Sequence, residues 1–163
     1  MRWLRRLGLV VLVVILGAAL FGWAARFADG PVGPFPGGVL AAGELVRVPP
    51  ADWSFATDVR EVELQLEVPP RSRTTWLLVH EGRPYVPCGL PTARFFKHWP
   101  YELERDDRVV LRADGRRYLL RAVRVTDRAE WDALAALSQA KYGHGTPAYP
   151  DDVWFYRLEP RGT

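Results

Sequence analysis

The chain has 163 residues, of which 48% are hydrophobic, 12% aromatic and 25% charged; this excludes a disordered polypeptide and provides for one domain of ordinary size. The net charge of +3 belongs to the N-terminus: Arg2, Arg5, Arg6 and Arg26 are the only charged residues before Phe27, and the remainder holds 18 of the 22 basic residues with all 19 acidic ones. A folded part that is not basic excludes a nucleic-acid partner. A single cysteine, Cys88, with three scattered histidines, excludes an intramolecular disulfide and a metal site built on cysteine.

Leu7–Ala25 carries no charge over 19 residues. As a helix rising about 1.5 Å per residue it spans close to 30 Å, the thickness of a bilayer core. Residues 1–28 are therefore read as an N-terminal transmembrane anchor. Arg2, Arg5 and Arg6 on one side predict a cytoplasmic N-terminus and a C-terminal domain outside the cytoplasm. A cleaved signal peptide, with Gly22 and Ala24 as the small residues of the cut site, is the alternative; its apolar region would be unusually long. Residues 29–38, with four Gly and three Pro, exclude helix and central strand and predict a semi-stiff linker. Residues 39–163 form the domain.

The domain begins with a short strand, Glu44–Val48, stopped by Pro49-Pro50. Asp52-Trp53-Ser54-Phe55 reads as a plug that places both aromatics in the core. Glu61–Val68, EVELQLEV, alternates strictly, with Val62, Leu64, Leu66 and Val68 facing one way. Pro69–Arg73 is expected to turn the chain into strand Thr74–His80, and Glu81–Pro84 to turn it into Tyr85–Cys88. Residues 92–99 predict a short helix or helical turn. Arg108–Ala113 and Arg116–Val125 are strands joined at Asp114-Gly115, a hairpin signal. Asp127–Tyr142 is a helix, with Asp127 and Glu130 as a capping box and Gly143 at its end. Val153–Leu158 is a last strand. The expected fold is mainly β: a six-stranded antiparallel split β-barrel with one late helix, preceded by the transmembrane helix.

In residues 74–126 the order TTWLLVHEGRPYVPCG, ARFFKHW, RVVLRADGRRYLLRAVRVTD, followed by a helix, resembles the split-barrel flavin-binding superfamily. That group includes pyridoxamine-phosphate-oxidase-like and deazaflavin-dependent nitroreductase-like proteins. The upstream PGGVLAAGELVRVPPADWSFATDV resembles a membrane-anchored bacterial subset, so the resemblance covers roughly residues 37–142 and implies the bacterial cytoplasmic membrane. It implies FMN or a deazaflavin as cofactor, held at its phosphate by Arg73, Thr74 and Thr75 on one strand and by Arg94 and Lys97 on the following segment. Trp76, Tyr85 and Trp99 would flank the ring. Arg suits a phosphate through its bidentate fork, Lys through its point charge. In place of the Asn that many members carry after the Lys, Lys97 is followed by His98-Trp99-Pro100. A homodimer is the oligomer implied.

Read from the residues alone, Arg71 and Arg73 sit in a solvated turn, and Lys97 is a surface lysine. His98 is a half-buried structural residue, His80 closes a strand, and His144 lies in a loop with no partner to name. Cys88 is a small buried residue, because no neighbouring base is in view to activate it. Two functions follow. One is an anchored flavin- or deazaflavin-type oxidoreductase acting on a quinone or another small molecule, with no catalytic residue assigned. The other is a non-catalytic barrel that binds a ligand or protein in the cell envelope.

Overall fold

The computed structural model describes residues 2–95, 97–143 and 147–161. Phe96, in the segment expected to be helical, and His144 lie outside the described residues. The elements are α1 (Arg2–Ala25), β1 (Glu44–Val46), β2 (Glu61–Glu67), β3 (Pro70–Trp76), β4 (Leu78–His80), β5 (Arg83–Gly89), α2 (Trp99–Leu103), β6 (Arg108–Ala113), β7 (Arg116–Arg124), α3 (Arg128–Tyr142) and β8 (Val153–Pro160).

The eight strands form one sheet in the order β3-β2-β6-β7-β8-β5-β4, with β1 added in parallel alongside β7. Only Leu77 separates β3 from β4, so the two edges of the sheet are consecutive pieces of one bent chain. That bend closes the wall. Counting β3–β4 as one strand and setting the three-residue β1 apart gives six antiparallel staves; eight separate strands, one of them parallel, replace the six expected. The bend is pinned from outside. Leu77 N–H donates to the Arg60 carbonyl at 3.1 Å, and the Leu77 carbonyl accepts from Lys141 Nζ at 2.9 Å and from the Tyr142 hydroxyl at 2.7 Å.

Strand β2 shows why the barrel forms. Val62, Leu64 and Leu66 alternate into the interior and are buried, each contributing about 1.5–3 kcal/mol. Val109, Leu111, Leu120, Tyr156 and Leu158 meet them from the facing strands. Val68 lies beyond the end of β2 and is exposed. A second core lies outside the wall, where Trp131 and Leu134 of α3 cover Leu78, Tyr85 and Phe155. Asp127 caps α3 by accepting from Glu130 N–H at 2.8 Å, and Gly143 ends it with φ 75°. The Glu130 carboxylate accepts instead from the Tyr85 hydroxyl and from Arg157, both at 2.8 Å.

Three local expectations are corrected. Pro70–Arg73 is strand, not turn: the reversal uses only Val68 and Pro69, and Glu67 pairs with Pro70. A proline is tolerated there because β3 is an edge strand. The short helix begins at Trp99, where Pro100 occupies the first turn, a position that needs no N–H donor; Thr92 to Lys97 precede it. Within the plug, Trp53 is buried but Phe55 is exposed.

Helix α1 is long and apolar enough to cross a membrane, and its apolar window is entirely uncovered by the rest of the chain. The segment after it does not run free. Gly37 pairs through its backbone with Ser72 of β3 in both directions, at 2.9 and 3.1 Å. Asp29 accepts from the N–H groups of Ala41 and Ala42 at 2.7 and 3.2 Å.

Candidate functional site

Arg73 stands opposite Leu64 across the β2–β3 ladder, so it shares the interior-facing side of the sheet. An arginine there needs a reason, because a buried cation without partners is costly. Its guanidinium lies 5.1 Å from the centre of the Trp99 ring, in cation–π contact. Its Nε is buried and has no hydrogen-bond partner among the described residues. Burial pulls the guanidinium down to about 10, with Glu102 and then Cys88 acting in the opposite direction; it remains a cation at neutral pH.

Beneath it, Cys88 is buried on β5. Burial pushes its thiol up to about 11, against the pull of Lys97 and then Arg73. Both cations therefore act on the same sulfur, one from β3 and one from the segment before α2. Trp99 is held by Tyr156, ring centres 5.7 Å apart, and the Tyr156 hydroxyl donates to the Pro100 carbonyl at 3.2 Å.

A cleft of ≈ 470 Å³ opens along β3, lined on one side by Arg73, Thr74, Thr75, Trp76 and Glu61. Pro31, Pro34, Phe35 and Pro36 supply the opposite wall. This volume lies within the range of small-molecule sites, about 300–1,000 Å³. A smaller apolar cavity of ≈ 190 Å³ touches the same Trp76 from the side of α3.

Arg73, Thr74 and Thr75 all line the cleft, but only Arg73 and Thr75 share a face of β3; Thr74 lies on the other face. Arg73 contacts Trp99, and the charges of Lys97 and Arg73 both act on Cys88. Trp99 is buried and serves as the floor under Arg73, so it is not a surface of the cleft. Arg94 goes elsewhere: its guanidinium lies 4.6 Å from the centre of the Tyr101 ring. The three aromatics expected around a ring do not share a cavity. Tyr85 is sealed beneath α3, and Trp76 stacks on Tyr142 at 4.7 Å. His98 is exposed rather than half-buried. The proline-rich wall was not foreseen as part of a site. Its signal in the sequence was the apolar run PVGPFP, five residues beyond the hydrophobic helix. Among the described residues no cluster of three His, Cys, Asp or Glu is placed to hold a metal ion.

No protein-family model matches the chain, and no curated protein matches it in sequence. Solved structures do resemble it. A pyridoxamine 5'-phosphate oxidase-like protein from Listeria innocua matches with TM-score 0.48 at 15% identity, over 63% of this chain and 85% of that one. A protein of unknown function from Agrobacterium tumefaciens matches with TM-score 0.47 at 19% identity, over 71% and 58%. An F420 reductase matches with TM-score 0.46 at 14% identity, over 71% and 97%. The likeness is one of fold.

Proposed function

We propose that the chain is a membrane-tethered split barrel that holds a phosphate-bearing redox cofactor of the flavin or deazaflavin class in the cleft along β3. The observation that carries this reading is Arg73, a largely buried guanidinium fixed on Trp99 with a donor left unused. A buried unsatisfied donor costs roughly 1–3 kcal/mol, so its presence at a cleft is best explained by an anion that completes it. The residues fit the phosphate end of such a cofactor on the face that Arg73 shares with Thr75: one pre-positioned cation and one hydroxyl, with Glu61 farther along the same lining. A flavin or deazaflavin, when bound, supplies hydride or electron transfer. In this reading the chain's own task is to bind and orient. Arg73 fixes the anion, the Thr75 hydroxyl donates to it, and Trp76 walls the cleft. The bilayer is the partner of α1, and a quinone or similar small molecule is the substrate.

Titration of the purified chain with FMN and with a deazaflavin, followed by absorbance and fluorescence, tests the reading. Saturable binding of one of them, abolished by Arg73→Met, is expected. Failure of both to bind would overturn it.

A further inference from the structure

The wall facing Arg73 is not part of the barrel. Pro31–Pro36 belong to the strap between α1 and the sheet, and this strap is held at every few residues. Val32 and Phe35 bond to each other through their backbones, each at 3.1 Å. Gly38 N–H donates to the Ala28 carbonyl at 3.1 Å. Arg112 grips the Asp29 carboxylate at 3.0 Å and also binds Glu63, its neighbour across the β2–β6 ladder. The strap can pack this tightly only because two positions lack side chains. A Cβ on Gly37 would lie 1.7 Å from the Gly30 carbonyl oxygen, and one on Gly38 would lie 2.3 Å from that of Arg26.

Phe35 links the two ends of this arrangement. One side of it lines the cleft with Arg73. Elsewhere its ring meets Phe21 of α1 edge-on, ring centres 5.3 Å apart. It also covers Gly22, where a Cβ would lie 3.1 Å from Phe35 Cδ1. Any shift of the last turns of α1 thus moves a ring that forms the ligand cleft.

We propose that the strap is a working wall of the ligand site, with Phe35 as a positioning residue that makes the affinity of the Arg73 cleft depend on the state of α1. This inference rests on the reading that the cleft takes a phosphate-bearing ligand. The cleft is amphipathic in cross-section: Arg73, Thr75 and Glu61 are polar groups on the barrel side, and proline and phenylalanine form the strap side. It therefore selects ligands that join a phosphate to an apolar or aromatic body, and the strap reads the latter.

The experiment uses the full chain in lipid nanodiscs, with pyrophosphate and FMN as separate probes measured by calorimetry. Gly22→Leu, a change in α1 outside the cleft, should weaken FMN binding roughly tenfold by pushing Phe35. Phe35→Gly should do the same, and Phe35→Leu should restore most of the affinity. Thermal melting of the barrel should stay unchanged in all three. Pyrophosphate, which has no apolar body, should respond to Arg73→Met and only weakly to Phe35→Gly. Wild-type FMN affinity in both Gly22→Leu and Phe35→Gly, with binding lost in Arg73→Met, overturns the wall and leaves the cofactor reading standing. If pyrophosphate binds and FMN does not, the flavin reading falls; the wall is then judged with phenyl phosphate, whose binding must weaken in Phe35→Gly. If no probe binds, both fall.

Discussion

The two ends of α3's neighbourhood and of the β3 cleft treat buried polar groups in opposite ways. Around α3 the polar atoms that leave water find partners. Lys141 Nζ donates to the carbonyls of Thr57, Val59 and Leu77 at 2.7, 2.6 and 2.9 Å. Trp131 Nε1 donates to the Val153 carbonyl at 3.1 Å, and Glu130 accepts from the Tyr85 hydroxyl and Arg157. At the cleft, the Arg73 Nε is buried and unused. Satisfied groups of the first kind close a fold; an unused donor beside a cavity marks a place built for something else.

Four measurements break or sharpen this contrast. The largest effect comes from the interior that both regions share. Leu66 is buried on the core face of β2, and Leu66→Asp places an uncompensated charge there, costing about 3–5 kcal/mol. Urea denaturation should show both regions failing together; a separate transition for α3 would mean that the regions are independent.

Lys141→Met and Arg73→Met then set the two cations against each other. Loss of Lys141 removes the donor to the Thr57 and Val59 carbonyls, while the Leu77 carbonyl keeps the Tyr142 hydroxyl, and should destabilise by roughly 2 kcal/mol. Loss of Arg73 removes a desolvated guanidinium whose Nε has no hydrogen-bond partner among the described residues, so stability should hold to within about 1 kcal/mol while anion binding disappears. Equal destabilisation in the two variants would show that Arg73 is a structural group after all.

The smallest effect is a pH response at the strap. The N–H of Ala41, ahead of Arg112, holds the Asp29 carboxyl below the usual aspartate range. A folded-state value below the unfolded one means that its contribution is complete above about pH 4 and is lost as the pH falls through the folded-state value. Protection factors for exchange at Ala41 and Ala42 should therefore fall on acidification, while those within β2 should not. In Asp29→Asn the strap amides should show low protection factors at every pH.

Much of the wall was legible because it rests on local rules. The alternation of Glu61–Val68, the Asp114-Gly115 hairpin and the two caps of α3 each declare themselves within ten residues. What stayed hidden depends on distant neighbours. Pro69-Pro70 and two arginines resemble a turn, yet Arg71 and Arg73 are strand residues because β2 supplies the missing ladder. The importance of Arg73 requires Trp99, which arrives from α2. Residues 29–38 hold glycines that signal flexibility in isolation. In the folded chain Gly37 and Gly38 serve the reverse purpose, letting backbone touch backbone.

The position of Cys88 has a practical consequence. It is the chain's single thiol, sealed inside the wall, with burial holding its proton in place until about pH 11. An alkylating reagent needs a thiolate and a path, and the closed barrel offers neither. Every labelling event on the folded chain therefore records a moment when the wall has parted. The rate of labelling is a stopwatch for that breathing, set where the charges of Lys97 and Arg73 are felt, and a ligand that seals the cleft should slow it.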